Sequence, residues 1–305
     1  MSGKKGVIPS VYEVAGLMYF WCESEFFPGG EREAGPIDLT VQRNSKGIPY
    51  VRGSSVKGAI RSFYEVLKGE DEANVVFGST DKAGCVVIGN AEILAFPVKA
   101  DRDLFLYVTS PSQISAYARE ADRALGLSVE ENWNVSGEEA ASASLDGEVE
   151  LMDGRYTLKL RREEKAERLA KNLVDTAVPK VDGAPAPGYG YLKSKLEKLI
   201  VVEDRVFREL VNNGLVVVLR IALERSTKTA AGKAMFYQEL IPEGTLLFAP
   251  LMKAIRLRKG EEGEAGIVDG FVEELKRGYL LNLGGDETTG KGVVRVLLCQ
   301  RGETG

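Results

Sequence analysis

No part of the chain restricts its backbone as tightly as the stretch Ile37-Asp-Leu-Thr-Val-Gln-Arg-Asn-Ser-Lys-Gly-Ile-Pro-Tyr-Val-Arg-Gly-Ser-Ser-Val-Lys-Gly-Ala-Ile-Arg61. From Pro49 onward it prescribes an extended run, a turn at Gly53-Ser54-Ser55 and then a helix. The two serines are placed to cap that helix, predicted over about Val56 to Leu67, because a serine oxygen accepts the orphan amide protons of a first turn. The same stretch gathers positive charge. Val41 to Lys68 holds six basic residues (Arg43, Lys46, Arg52, Lys57, Arg61, Lys68) against the single acid Glu65, in a chain whose net charge is −5. The remainder therefore carries −10. A basic face on an acidic body suits a polyanion such as RNA, which a uniformly acidic protein repels.

A second glycine loop, Leu283-Gly-Gly-Asp-Glu-Thr-Thr-Gly-Lys-Gly-Val-Val-Arg295, lies near the other end. Gly285 to Lys291 fits the first seven positions of a phosphate-binding P-loop, but the eighth, which should be Ser or Thr to hold magnesium, is Gly292. A P-loop also opens a helix, whereas Val293 to Leu298 predicts a strand. A nucleotide-hydrolysing P-loop is thus excluded. Two readings stay open: a plain strand-to-strand turn, or a nest of backbone amides around Gly284, Gly285, Gly290 and Gly292 that takes an anion, with Lys291 and Arg295 adding charge.

The chain of 305 residues contains no histidine. That removes Ser-His-Asp and Cys-His triads, histidine-bound zinc and histidine general bases. Any chemistry falls to carboxylates, Lys, Arg, Tyr, Ser or an oxygen-bound metal. Cys22, Cys85 and Cys299 are few and far apart, which fits a reducing cytoplasm and neither a disulfide framework nor a zinc site. No run approaches the roughly 20 apolar residues of a membrane span, and no apolar segment follows Lys4-Lys5 as in a signal peptide.

Along the chain, strands are predicted at Val11–Cys22, Val86–Ala95, Arg102–Ser110, Leu196–Val202, Thr245–Leu257, Leu280–Leu283 and Val293–Leu298. Leu215–Leu223 reads as a central buried strand. Helices are predicted at Ser112–Leu125, Arg161–Leu173, Asp204–Asn212 and Ile267–Arg277. Gly147–Leu160 forms a hairpin turning on Asp153-Gly154. Asp175 to Tyr191, with Pro179, Pro185 and Pro187, reads as a mobile insertion or linker, and Arg225–Lys233 as an exposed basic loop. Without regular βα units the pattern is α+β: one domain over 1–305, a ferredoxin-like or RRM-like, mostly antiparallel sheet with helices on one face, and insertions at about 119–195 and 224–243.

Together the two glycine elements resemble those of the RAMP superfamily of CRISPR proteins. Gly53-Ser-Ser-Val-Lys-Gly-Ala-Ile-Arg61 is similar to that superfamily's N-terminal element, and the loop at 283–292 to its C-terminal one. Within the superfamily the chain looks most like the repeated backbone subunit of the type III-B (Cmr) effector complex. The matching positions are Asp38-Leu-Thr-Val-Gln-Arg43, Val76-Phe-Gly78, Phe96-Pro-Val98, Thr227-Lys-Thr229 and Met235-Phe-Tyr-Gln-Glu239 followed by Pro242. The resemblance as a whole runs from residue 16 to residue 298. The resemblance implies copies of the chain stacked along a guide RNA beside other Cmr subunits. Each copy inserts a thumb-like hairpin that displaces one base pair, and the bound target RNA is cut at regular intervals. It also implies a divalent metal, Mg²⁺ or Mn²⁺, and dependence on Asp38. Relatives often carry a histidine in the loop before that aspartate, where this chain has Phe26-Phe27-Pro-Gly-Gly.

Each residue has a plainer reading beside the sharper one. Asp38 is either a loop or capping aspartate, or the group that holds the metal or sits near the attacking 2′-hydroxyl. Arg43, Arg52, Ser54, Ser55, Lys57 and Arg61 are either a solvated face or a phosphate clamp at a helix N-terminus. Tyr237 and Glu239 are strand residues or, by the resemblance, parts of the catalytic centre, with Tyr237 able to stack on a displaced base. Trp21 and Trp133 are packing residues, Ser226–Lys233 a candidate thumb tip and Asp175–Tyr191 a candidate partner-facing insertion. Two further functions fit less well: a backbone subunit that binds RNA without cutting, and a guide-RNA-processing endonuclease, a class that often uses histidine.

Overall fold

Tyr12–Cys22 forms strand β1, and its side chains explain the architecture. Met18, Phe20 and Cys22 point into one hydrophobic core, while Leu17, Tyr19 and Trp21 point into another. A strand apolar on both faces must be covered on both. The structure is a computed structural model that describes residues 12–32, 36–223, 230–254 and 264–302. After β1 the chain gives β2 (Gly30–Arg32), β3 (Leu39–Val41), β4 (Tyr50–Val51), α1 (Gly53–Lys68), α2 (Glu70–Phe77), β5 (Val86–Ile88), β6 (Ala91–Lys99), β7 (Phe105–Thr109) and α3 (Pro111–Leu125). Next come β8 (Glu139–Ser142), β9 (Gly147–Leu151), β10 (Tyr156–Arg162), α4 (Glu164–Ala177), β11 (Lys180–Val181), β12 (Ala184–Pro185), α5 (Tyr189–Leu196), β13 (Ile200–Val201) and α6 (Asp204–Asn213). The last elements are β14 (Val216–Leu223), β15 (Ala230–Leu240), β16 (Leu246–Ala254), α7 (Ala265–Lys276), β17 (Tyr279–Asn282) and β18 (Val293–Cys299).

The large sheet runs β17-β18-β1-β16-β6-β7-β13-β8-β10-β9, with β4 paired to β6 and β5 to β16. Its pairs are antiparallel except β7 with β13 and β8 with β10. One core packs β1, β6 and β16 against Val56, Ile60 and Tyr64 of α1, Phe77 of α2 and Phe271 of α7. The other packs the opposite face against Ile114 and Tyr117 of α3, Leu169 and Leu173 of α4 and Leu196 of α5. The mixed α+β class and the mostly antiparallel sheet agree with the sequence, but helices on one face do not. Both side-chain parities of β1 and β16 are apolar, and the segment between β7 and β13 supplies the second cover.

Several local readings also change. The helix expected from Val56 begins at Gly53, so Ser54 and Ser55 lie inside its first turn and Arg52 is the capping position, with no side-chain cap bond. The Gly53 amide instead donates to Asn90 Oδ1 at 2.9 Å, a partner 37 residues away. Gly89-Asn90 divides the expected 86–95 strand into β5 and β6. Residues 175–191 are not a linker: α4 continues to Ala177, β11 and β12 pair, and α5 starts at Tyr189. The 147–160 hairpin forms, but Met152, Asp153 and Gly154 are all left-handed, so its turn is longer than two residues. Trp21 is fully buried and donates to the Ala177 carbonyl at 2.6 Å, while Trp133 packs at the edge of the second core under the Lys165 ammonium. The expected 225–233 loop falls partly on 224–229, outside the described residues; 230–233 belong to β15.

Candidate functional site

A separate four-stranded sheet, β14-β15-β3-β2, brings the two halves of the candidate site together. β15 meets β3 in parallel at Gln238 and Leu39, so Tyr237 lies beside Asp38 although 199 residues separate them. The Asp38 amide donates to the Tyr237 carbonyl at 3.1 Å, and the Tyr237 amide donates to Asp38 Oδ2 at 2.8 Å. Backbone and carboxylate of Asp38 are thus held by one residue. Its side chain is exposed, and Tyr237 beside it is 46% exposed. The carboxylate is thus held in place and open to solvent, an arrangement that both the capping reading and the catalytic one allow.

Glu239 is only 6% exposed. Its Oε2 accepts the Val41 amide at 2.9 Å, and both its oxygens accept from Arg43 Nη2 at 3.0 Å. Arg43 also donates through Nε to Asn212 Oδ1 at 2.6 Å and through Nη1 to the Val41 carbonyl at 3.0 Å. The pair locks the strand that follows Asp38. Across the hairpin, Val217 faces Glu239, Leu219 faces Tyr237 and Ile221 faces Met235. Val217, Leu219, Met235 and Tyr237 are each between 43% and 54% exposed. β14 is therefore an edge strand with one open face, not the central buried strand its apolar run suggested.

The expected clamp of cations divides. Lys57 and Arg61 do share one open cavity of about 590 Å³, together with Lys82, Ser79 and Thr80. Partial burial, and then the Arg61 charge, hold the Lys57 ammonium below the usual lysine range. Two cations crowded without a carboxylate between them favour an anion. Arg61 itself is a brace, reaching Asn74 Oδ1 at 2.6 Å, the Gly78 carbonyl and Glu65. Arg52, Ser54 and Ser55 face solvent at the N-terminus of α1. Arg43 is instead tied to Glu239 of β15.

The glycine loop joins β17 to β18 through a 3-10 turn at Glu287–Thr289, with no helix after it, in agreement with the exclusion of a P-loop. Its cations are paired: Lys291 with Glu25, and Arg295 with Glu23 at 2.7 Å and with the Tyr189 hydroxyl at 3.0 Å. Of its two acids Asp286 turns inward, accepting from Arg220 at 2.6 Å and from Gln238 Nε2 at 3.2 Å, while Glu287 is exposed. Gly285 and Gly290 stay open to solvent. Gly284 has φ +89°, and a Cβ there would lie 2.0 Å from the Phe27 carbonyl, whereas a Cβ at Gly290 (φ +75°) meets nothing within 4 Å. Gly290→Ala should therefore cost about 1–2 kcal/mol, the left-handed penalty alone. Gly284→Ala should cost clearly more, because the loop must also move. Urea unfolding midpoints of the two variants check this order. Glu23, Glu25, Asn212 and Asp286 escaped the sequence reading because their partners lie far away along the chain; the one local hint was an acid inside a glycine loop.

Among the described residues no three His, Cys, Asp or Glu side chains gather as a metal cage, and no helix is long and apolar enough to cross a membrane.

Comparison with known proteins gives a family and a shared fold. The model of the RAMP superfamily matches residues 20–295. The CRISPR system Cmr endoribonuclease Cmr4 of Pyrococcus furiosus is 29% identical over 282 residues, covering 89% of this chain and 91% of its own length. The CRISPR system CMR subunit Cmr4 of Saccharolobus solfataricus is 26% identical over 287 residues, covering 85% and 88%. Oligomeric Cmr4 from Pyrococcus furiosus superposes with a TM-score of 0.71 at 23% identity over 93% of this chain and 97% of that one. A chain of the type III-B Cmr-beta complex bound to cognate target RNA gives 0.70 at 21% identity, over 95% and 98%. These superpositions establish a shared fold.

Proposed function

The chain belongs to the RAMP superfamily, and from that premise we propose that it is a backbone subunit of a type III-B CRISPR effector complex that grips guide RNA and cleaves the paired target RNA. The observation that carries the cleavage step is Asp38, an exposed carboxylate that accepts from the Tyr237 amide while its own backbone amide donates to the Tyr237 carbonyl. A relative covering most of the chain bears the name endoribonuclease, and the target-bound complex contains a chain of the same fold. Copies of the chain would stack along the guide with the other Cmr subunits, in the cytoplasm of a cell that uses the complex against invading RNA. Cys22, Cys85 and Cys299, all buried and in no disulfide among the described residues, suit that compartment.

The fold supports an elaborated ferredoxin-like, RRM-like platform. The strands β18-β1-β16-β6 are consecutive neighbours and antiparallel. Taken in chain order with α1 and α7, they give β-α-β-β-α-β with spatial order 4-1-3-2. Both helices cover one face; α3 to α5, from the insertion, cover the other. On this platform Arg52, Ser54, Ser55 and Lys57 supply phosphate contacts at a helix N-terminus. Gly285 and Gly290 give the RNA backbone a close approach, while Arg43, Arg61, Lys291, Gly284 and Gly292 hold the surface in shape. Base pairing supplies sequence specificity, as in other guided systems.

The reaction is attack of the target's own 2′-oxygen on the adjacent phosphorus. The 2′-O–P bond forms and the P–O5′ bond breaks, leaving a 2′,3′-cyclic phosphate and a 5′-hydroxyl. Asp38 orients the 2′-hydroxyl and takes its proton as the new bond forms, and the departing 5′-oxygen takes a proton from water. Tyr237 offers an exposed ring on which a displaced base stacks. Glu239 positions rather than reacts, since Val41 and Arg43 occupy its oxygens. One carboxylate is a poor magnesium site by itself, so these residues do not build a resident metal centre. An Mg²⁺ or Mn²⁺ ion would arrive with the RNA phosphates, with Asp38 contributing one oxygen; when bound, it neutralises charge developing on phosphorus oxygens. The test uses a labelled target RNA and complex reconstituted on guide RNA. Magnesium or manganese should give regularly spaced products, and a chelator should remove them while gel shifts still show bound target. Products that persist through chelation would sink the metal requirement, and no products under any condition would leave a backbone that only binds.

A further inference from the structure

We propose that Asp286, on the glycine loop, is a positioning residue for cleavage: it sets the β14–β15 hairpin against β3 and so fixes the direction in which Asp38 points. The inference rests on Asp38 being the group that acts on the target.

The two faces of the hairpin are held differently. On the outer face, Glu239 ties β15 to Val41 and Arg43. On the inner face lie Arg220 of β14 and Gln238 of β15, and Asp286 takes a hydrogen bond from each, one carboxylate bridging both strands. Gln238 is 3% exposed and its Oε1 has no hydrogen-bond partner among the described residues. Its amide NH₂ on Asp286 is thus the polar hold on this side chain. Gln238 is also the residue through which β15 meets β3, opposite Leu39, and its neighbour Tyr237 grips Asp38. A shift of Gln238 is therefore passed to Asp38 through the two hydrogen bonds of Tyr237, one to its carboxylate and one from its backbone amide. Asp286 sits in left-handed backbone at φ +70°, an unusual place for a non-glycine residue inside a glycine-rich loop. Such a conformation persists where surrounding contacts over-determine it. The loop is anchored behind it by Gly292 N–H on the Glu25 carbonyl and Lys291 on Glu25, so Asp286 can act as a fixed point. A loop used only to bind RNA would have no need for an acid in this place, since a carboxylate repels phosphate.

The experiment assembles complexes on guide RNA with wild type, Asp286→Ala, Asp286→Asn, Asp38→Asn and the double variant Asp38→Asn/Asp286→Ala. Single-turnover cleavage and target affinity are measured separately. Asp286→Ala should slow cleavage at least tenfold with affinity within twofold of wild type. Asp286→Asn keeps an oxygen for Arg220 or Gln238 and should recover most of the rate. The double variant should cleave no more slowly than Asp38→Asn alone, because both changes act on one group. Hydrogen exchange on the same variants reads the cause directly: the Tyr237 and Asp38 amides should exchange faster in Asp286→Ala, with the β1 amides unchanged. Wild-type cleavage in Asp286→Ala, affinity falling in step with rate, or unaltered exchange at Tyr237 would each overturn the proposal. If Asp38→Asn cleaves normally, the proposed catalytic centre fails instead, and the exchange result still reports whether Asp286 holds β15.

Discussion

Asp38→Asn should slow target cleavage by at least about 100-fold, the range lost when a positioned proton acceptor is removed, while guide and target affinity stay within about twofold. The substitution separates chemistry from architecture because of how the side chain is held. An asparagine Oδ1 still accepts the Tyr237 amide that now donates to Asp38 Oδ2 at 2.8 Å, and the Asp38 amide still reaches the Tyr237 carbonyl. What disappears is the negative charge and the second acceptor oxygen turned toward solvent. An amide neither attracts a proton from a 2′-hydroxyl nor contributes to a divalent cation as a carboxylate does. Asp38→Ala should be no slower in the chemical step, yet should loosen the β3–β15 junction, detectable as faster exchange of the Tyr237 amide. Equal cleavage by wild type and Asp38→Asn under single-turnover conditions would place the acting group elsewhere on the RNA surface.

How far the chain could be understood before its structure depended on the range of the interactions involved. β1 and the α+β class were legible because every residue from Leu17 to Cys22 is apolar, whatever the partner. The start of α1 was not, because the Gly53 amide is satisfied by Asn90 and not by the neighbouring serines. Prolines at 179, 185 and 187 suggested a linker, yet the Ala186 amide closes on the Pro179 carbonyl around a small hairpin. β14 misled for the opposite reason. Its run of apolar residues fits burial on two faces, but only one is covered, and Val217 and Leu219 face out. At the site, Asp38 was visible only by family resemblance, since spacing alone cannot distinguish it from any loop aspartate. Its grip by Tyr237 and the Arg43–Glu239 pair join positions almost 200 residues apart, which no local pattern encodes. The glycine loops stood out in the sequence. Sequence could not show that Lys291, Arg295 and Asp286 are spent on holding the loop and hairpin in place.

The Arg43–Glu239 pair should prove the costliest of these holds to break. Glu239→Ala removes three acceptor contacts at once: those to the Val41 amide and the two to Arg43 Nη2. Breaking one side of a buried ion pair typically costs 3–5 kcal/mol. Here the side chains are 27% exposed for Arg43 and 8% for Glu239, and Arg43 keeps Asn212 and the Val41 carbonyl. The stranded guanidinium is thus partly solvated, and a loss of about 2–4 kcal/mol is the expected result from urea unfolding. Glu239→Gln retains an acceptor for Val41 but not the charge, and should lose about half as much. Replacing both partners by methionine should recover part of the loss, because the desolvation of two charges disappears with them. Stability and cleavage then separate in an informative way. If Glu239 positions the strand after Asp38, the double methionine variant should be stable yet slow. If Glu239 were a proton donor or acceptor in the reaction, Glu239→Gln alone would abolish cleavage although it costs only about half the stability that Glu239→Ala does. The geometry favours the first outcome, since a carboxylate already sharing its oxygens among a backbone amide and a guanidinium has little left with which to reach RNA.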